Sequence, residues 1–148
     1  MRRELIAIAY ALLGAHVNTA LGGLDQVLSA WKPPLVVILD HSDVWCRVKA
    51  ESPRTLMVGR LALPGEPDLN DPALDPGKAA RSHCDAILPA AERMGGTYDF
   101  WQGVNEPVVQ SAEAMKRLAD FEAERARIMS RHGFRTVVGS FGVGNPPK

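Results

Sequence analysis

Continuous apolar runs that recur between amphipathic segments limit the possible folds of this chain more than any other feature. Residues 35–39, 55–61 and 136–139 are rich in valine, leucine and other apolar side chains, with little alternation of polar residues. Such runs are typical of strands buried on both faces of a parallel sheet. Two further strands are predicted at residues 11–17 and 98–104. The alternation of these strands with helical segments predicts an α/β fold.

The segments between the predicted strands have helical patterns. The clearest helix follows Ser111, a favourable N-cap, and stops before Gly133, a residue type that commonly ends helices. Apolar side chains recur along it at helical spacing. Pro89 predicts a kink or a break in the preceding helix, because proline lacks the backbone N–H that a helix needs. The predicted helices cover residues 21–31, 43–50, 77–94 and 112–132.

The composition excludes several classes of protein. The chain is 46% hydrophobic and 23% charged, with 17 basic and 17 acidic side chains, so it has material for a core and no basic footprint for nucleic acid. Cys46 and Cys84 are too few for a disulfide framework and lack partners at zinc-like spacing. The glycines of residues 139–145 lack the spacing and the following helix of a nucleotide-binding loop. We therefore expect no metal and no cofactor.

The N-terminus allows two interpretations. Residues 5–15 are apolar and follow two arginines, as in a secretory signal, but Glu4 is unusual in the basic part of a signal. We favour residues 11–17 as the first core strand. The apolar run is too short to span a membrane, so no membrane partner is expected. The cellular compartment stays open.

The most informative short motif lies at the end of the fourth predicted strand. An aromatic, strand-like segment stops at Asn105-Glu106, and Pro107 cannot continue a sheet ladder. A carboxylate thereby stands at the carboxyl end of a strand, which is where parallel α/β folds bind ligands and perform chemistry. The alternative is a polar turn in which Glu106 is only solvated.

Residues 101–107, Trp-Gln-Gly-Val-Asn-Glu-Pro, resemble the Trp-x-x-x-Asn-Glu-Pro signature of the clan A retaining glycoside hydrolases. The resemblance implies a (β/α)8 barrel of the TIM type and a carbohydrate substrate. It implies that Glu106 is the general acid/base and that Asn105 hydrogen-bonds the sugar 2-hydroxyl. It also implies a nucleophilic glutamate at the end of a seventh strand, which this sequence does not reach.

The length of the chain conflicts with a complete barrel. A barrel of this type needs about 250 residues, whereas the sequence has 148 and ends after its fifth predicted strand. We expect residues 1–148 to be the N-terminal part of a single glycosidase-like catalytic domain, as a truncated frame, a fragment, or a piece that another chain completes. An incomplete barrel leaves open sheet edges, which predicts self-association.

Polar residues recur at the ends of the other predicted strands, as expected of a pocket at the top of a barrel. Each has a structural alternative: Asp40 could cap a helix, a strand histidine is often a core residue, and Trp101 could pack in the core. Trp45 and Phe141 are further aromatic candidates for stacking on sugar rings. Besides Asn105, the residues expected to bind substrate are His16, Asn18, Asp40, Arg60, Trp101 and Asn145.

Two other functions remain open on the sequence alone. One is a non-catalytic carbohydrate-binding or degenerate barrel that keeps the pocket without hydrolysis. The other is an unrelated barrel enzyme, such as a lyase or an aldolase, in which Glu106 acts as a base. The latter chemistry usually needs a Schiff-base lysine or a phosphate loop, and the lysines of this chain fall outside the predicted strands.

Overall fold

The structure, a computed structural model, describes residues 14–18, 22–39, 42–63 and 65–139. Strands and helices alternate throughout this part of the chain, with a short 3-10 helix at Gly95–Thr97 before the fourth strand. The strands are β1 (Ala15–Val17), β2 (Leu35–Ile38), β3 (Leu56–Gly59), β4 (Phe100–Gln102) and β5 (Thr136–Val137), and the helices are α1 (Leu24–Trp31), α2 (Val44–Glu51), α3 (Pro76–Met94) and α4 (Ala112–Arg131).

The five strands form one parallel sheet whose spatial order follows the sequence, β1-β2-β3-β4-β5. One line of the register runs across the sheet through Val17, Ile38, Gly59, Trp101 and Thr136. The predicted α/β class with a parallel sheet is confirmed. A doubly wound sheet reverses its strand order at a switch point, and the described strands show no such reversal.

The main core lies between one face of the sheet and the helices. Successive strand residues point to opposite faces, so the strand side chains in this core share one face. All four helices contribute to the same cluster, which places them on the same side of the sheet. The cluster contains the strand residues Val17, Val36, Ile38, Met57 and Trp101 and the helix residues Leu28, Trp45, Val48, Cys84, Ile87, Ala90, Ala91, Met94 and Met129.

The opposite face of the sheet is also apolar, but the described residues cover it incompletely. Leu35 is 38% exposed and Leu56 42% exposed, both at the amino ends of their strands. Val37 and Phe100 are half-buried, and among the apolar strand residues described on this face only Val58, at 4% exposure, is well covered. Parallel sheets normally bury both faces. Self-association through this face and the sheet edges therefore stays a prediction.

Helix α3 is continuous across Pro89, so of the two expected outcomes the break is wrong and the kink stays a prediction. Pro89 is exposed, whereas Ile87, Ala90 and Ala91 around it are buried. The buried residues before and after Pro89 pack in the core and hold the helix together. Pro89 itself lies on the exposed side of the helix, where its missing N–H disturbs little packing. The helix begins as its sequence favours, with the side chain of Asp75 accepting a hydrogen bond from the N–H of Lys78 at 2.9 Å.

Helix α4 has the two ends that its sequence predicts. The Ser111 hydroxyl accepts a hydrogen bond from the N–H of Ala114 at 3.0 Å, which confirms the N-cap. At the other end Gly133 has a left-handed φ of 82°. The N–H groups of Gly133 and Phe134 donate to the carbonyls of Ser130 and Met129 at 3.0 and 2.9 Å. This pair of hydrogen bonds is the Schellman motif, and it directs the chain into β5.

A buried ion pair connects α4 to the carboxyl ends of β4 and β5. Arg125 has no exposed surface, and its Nε donates to Glu122 at 2.6 Å. Its two remaining nitrogens donate to the carbonyls of Trp101 at 3.3 Å and Val137 at 2.7 Å. Burial raises the pKa of the Glu122 carboxyl, and the Arg125 guanidinium opposes that rise. A Cβ on Gly103 would collide with Glu122 Oε1 and lie 2.7 Å from Arg125 Nε, so a larger residue there would displace this ion pair.

His83 on α3 is a second buried titratable group, at 5% exposure. Its ring meets Phe121 edge to face at a centroid distance of 5.5 Å. Burial, together with the smaller effect of the nearby Arg125 charge, lowers the pKa of His83 to about 4. The imidazole is therefore neutral in the folded protein at physiological pH.

We expect stability to fall as the pH drops from 6.5 towards 4, because in this range the unfolded chain protonates His83 and the folded chain does not. Above pH 6.5 His83 is neutral in both states and no stability is lost. Below about pH 4 the loss reaches roughly 3 kcal/mol of unfolding free energy, which is the size of the pKa shift expressed as energy. Urea unfolding across this pH range tests it, with His83→Leu as the variant that should flatten the profile. An equally steep profile in His83→Leu would assign the acid sensitivity to other groups.

Candidate functional site

The connection from β4 to α4 presents Glu106 in an unusual backbone conformation. Glu106 has a φ of 46° and an exposed side chain, and it stands immediately before the buried Pro107. A left-handed conformation costs a residue with a Cβ about 1–2 kcal/mol. The following proline adds to the strain, since the residue before a proline prefers an extended conformation. Glu106 thus stands on a turn that its own sequence disfavours.

Lys32 is the other non-glycine residue with positive φ in the described part of the chain, and it makes a useful comparison. Its φ is 50° and it also precedes a proline, Pro33. Lys32 caps the C-terminus of α1, and its N–H donates to the carbonyl of Leu28 at 2.7 Å. That left-handed turn therefore ends a helix. Glu106 ends no helix, and unexplained backbone strain is enriched at functional sites.

Asn105 lies next to Glu106 and is half-buried. Its Oδ1 accepts a hydrogen bond of 3.3 Å from Nε2 of Gln102, the last residue of β4. Gln102 is buried, at 6% exposure. The strand end thus anchors the amide of Asn105, the residue that precedes Glu106.

The long β3–α3 loop is joined to the β4–α4 loop through Asn70. The Asn70 side chain donates to the carbonyl of Val108 at 3.0 Å and accepts from the N–H of Gln110 at 3.0 Å. Arg117 on α4 holds the adjacent turn by donating to the carbonyl of Leu69 at 2.7 Å. These residues were not predicted from the sequence. The Asp- and Asn-rich composition of the loop signals turns, but not a bond to a segment about forty residues away.

A small apolar cluster packs both loops against α4. Leu69 and Val109 contribute from the loops, and both are at most 3% exposed. They pack with Ala114 and Leu118 of α4. The strained turn at Glu106 is therefore held by packing on one side and by the Asn70 hydrogen bonds on the other, which is the condition under which such strain persists.

Between the two loops lies an open cavity of about 210 Å³. Its lining is mixed: prolines and other apolar residues form about half of it, and the polar groups are Glu106 and Asn105 from one loop and Glu66, Asp68 and Asn70 from the other. Carboxylates and amides in one small cavity suit hydrogen bonding to hydroxyl groups and proton transfer. No cluster of three metal-binding side chains occurs among the described residues.

The other residues expected in the site have different placements. His16 and Asn18 are exposed at the end of β1. Arg60 follows β3 and is half-buried, and its Nε is buried with no hydrogen-bond partner in the described part of the chain. The register of β3 and β4, continued by one residue, places Arg60 beside Gln102. Asp40 and Asn145 lie outside the described residues.

The aromatic stacking faces expected of Trp101 and Trp45 are absent from this edge. Trp101 is 1% exposed and Trp45 has no exposed surface, and both belong to the core under the helices. The reason for Trp101 is strand alternation, because its neighbour Gln102 takes the opposite face. The prediction that Trp101 binds substrate does not fit this placement.

A larger cavity, of about 510 Å³, lies at the opposite edge of the sheet. It is formed by residues 32–34 and 51–55, at the amino ends of β2 and β3. Prolines supply much of its wall. The reactive groups of parallel α/β proteins gather at the carboxyl edge instead, so we assign the candidate site to the cavity at Glu106 in spite of its smaller volume.

No model of a known protein family matches this chain, and no curated protein or solved structure matches it either. The likeness to the glycoside hydrolases therefore rests on the residues at the end of β4. Within the part of the chain that the structure describes, no helix has the length and apolar character required to cross a bilayer.

Proposed function

We propose that the end of β4 is part of the active site of a retaining O-glycoside hydrolase, with Glu106 as the general acid/base. One observation carries the proposal: an exposed carboxylate is held in a strained left-handed turn at the carboxyl end of a parallel strand. The adjacent Asn105 amide and the carboxylates of the cavity supply groups that suit sugar hydroxyls.

We further propose that the sheet is part of a (β/α)8 barrel. The strand order follows the sequence, and all four helices pack on one face, as in a barrel wall. In a closed barrel, layers of side chains fill the other face. The apolar but partly exposed face that includes Leu35, Leu56 and Phe100 has the composition expected of a barrel interior.

The proposed chemistry needs two carboxyl groups. Glu106 would protonate the departing glycosidic oxygen and later take a proton from the incoming water, while a second carboxylate about 5–5.5 Å away attacks the sugar. Glu66 and Asp68 line the cavity, but they belong to the β3–α3 loop and not to a strand end. The nucleophile implied by the resemblance lies on a seventh strand, beyond the strands that the structure describes.

The lack of a second strand-end carboxylate in the described residues is what favours the alternative, a non-catalytic carbohydrate-binding barrel. A Schiff-base lyase or aldolase is not favoured. Among the described residues every lysine lies on a helix or at a helix end, none on a strand.

We expect the chain to bind simple sugars through Asn105, and ligand-observed NMR with a panel of monosaccharides and disaccharides measures this. Asn105→Ala should weaken binding by about fivefold to tenfold, the effect of one lost hydrogen bond. Gln110→Ala is the matched control on the same loop. Among the described residues Gln110 donates only its backbone N–H, to Asn70, and alanine keeps that group. Equal binding by the wild type and Asn105→Ala would remove Asn105 from the site, and no binding of any sugar would contradict the proposed function.

A further inference from the structure

Gln102 is a buried amide on the sheet face that the helices do not cover. The neighbouring residues on this face are the apolar Val58, Phe100 and Val137 and, by the register continued one residue, Arg60. A buried amide costs free energy unless its polar atoms are hydrogen-bonded. The hydrogen bond that the structure gives to the Gln102 side chain runs to Asn105. The amide therefore serves the loop that carries the candidate site.

The direction of this hydrogen bond determines what Asn105 can offer to a ligand. Gln102 Nε2 is the donor and Asn105 Oδ1 the acceptor, at 3.3 Å. An asparagine amide has one oxygen acceptor and one NH₂ group with two donors. Gln102 takes one of the two lone pairs of the Asn105 oxygen and fixes the amide so that both donors of its NH₂ group stay available to the cavity that Asn105 lines with Glu106.

We propose that Gln102 is a positioning residue that orients the Asn105 amide as a hydrogen-bond donor to the ligand. The inference rests on the proposed function, because it assigns the ligand group that Asn105 contacts: an acceptor, such as the oxygen of a sugar hydroxyl. If Gln102 served only to tie β4 to its loop, the orientation of the Asn105 amide would have no effect on ligand preference.

A first test needs no ligand and uses the full chain. Side-chain amide hydrogen exchange is measured by ¹⁵N NMR for Gln102 and Asn105. We expect the Gln102 NH₂ group to exchange more slowly than that of Asn105, because it is buried and donates the hydrogen bond. Slower exchange at Asn105, with Gln102 as the acceptor, would overturn the proposal whatever the ligand is.

A second test compares the methyl glycosides of glucose, galactose and mannose with their 2-deoxy and 2-deoxy-2-fluoro analogues. Fluorine can accept a weak hydrogen bond but cannot donate one. The wild type should bind the fluoro analogue more tightly than the deoxy analogue, and the deoxy analogue about tenfold more weakly than the parent. Equal affinity for the fluoro and deoxy analogues would contradict the donor role of Asn105.

Gln102→Glu makes the test specific to positioning. A carboxylate only accepts, so Asn105 must turn its NH₂ group inward and present its oxygen to the ligand. The variant should still bind the parent sugar, because the sugar hydroxyl can donate to the Asn105 oxygen. It should no longer bind the fluoro analogue more tightly than the deoxy analogue. Gln102→Met, which removes the hydrogen bond without adding charge, should lower affinity for the parent by about fivefold.

The outcomes separate this inference from the proposed function. An unchanged fluoro preference in Gln102→Glu and unchanged affinity in Gln102→Met would overturn the positioning role while leaving sugar binding intact. If the wild type binds none of the glycosides, the proposed function fails, and the amide exchange measurement still decides how Gln102 orients Asn105.

Discussion

Replacing Glu106 by glutamine is expected to slow the cleavage of natural glycosidic bonds by about 10²- to 10⁴-fold in any form of the protein that hydrolyses them. A general acid matters most when the departing oxygen is basic, because that oxygen cannot leave without a proton. Dinitrophenyl glycosides have good leaving groups, so formation of the glycosyl-enzyme from them should be largely spared. Steady-state and burst kinetics with both substrate types measure the difference.

Added azide gives a second measurement on the same variant. Once the glycosyl-enzyme has formed, water attack needs a base, whereas azide does not. Azide should therefore accelerate turnover of activated substrates by Glu106→Gln and yield the glycosyl azide. Glu66→Gln is the matched control, since Glu66 lines the same cavity from the other loop. If Glu106→Gln slowed both substrate types equally and azide had no effect, Glu106 would be a binding or structural residue.

The largest stability effect is expected at Arg125. Arg125→Met should lower the free energy of unfolding by about 3–5 kcal/mol, because it leaves the buried Glu122 carboxylate without its partner. The variant also removes the donors to the carbonyls of Trp101 and Val137. Urea unfolding monitored by circular dichroism measures the loss.

Arg127 on the same helix provides the control for this measurement. It pairs with Glu124, but its side chain is 47% exposed. Arg127→Met should therefore cost much less than Arg125→Met, since water replaces the lost partner. The double variant Arg125→Met with Glu122→Leu should recover most of the stability, because no buried charge remains. Equal losses for Arg125→Met and Arg127→Met would show that the buried pair is not special.

Much of the fold could be predicted because its signals are local. The continuous apolar run at residues 35–39 and the caps of α4 determine structure within a few residues of themselves. The strand β4 is shorter than predicted, and it ends before Gly103, where the side chains of Arg125 and Glu122 fill the space that a Cβ would need. That limit depends on two side chains of α4, about twenty residues further along the chain, which no local pattern shows.

The candidate site was predicted in part, for the same physical reason. Glu106 and Asn105 follow from a strand that stops before a proline, which is a local signal. The role expected of Trp101 depended on which face of β4 it takes, and the helices bury that face. The Asn70 and Gln102 hydrogen bonds depend on side-chain orientation and on contacts between separate loops, neither of which composition or periodicity specifies.

We propose that the strained turn at Glu106 is retained for function, whereas that at Lys32 ends a helix. The most direct measurement compares the unfolding free energy and the sugar binding of Glu106→Gly and Lys32→Gly. Both residues have left-handed φ values and precede prolines. Glycine should relieve the strain at either position and raise stability by up to about 1 kcal/mol, after its cost in unfolded-chain entropy. We predict that both variants are stabilised and that only Glu106→Gly loses sugar binding. A Glu106→Gly protein that is destabilised, or that binds sugars as well as Lys32→Gly does, would contradict the claim.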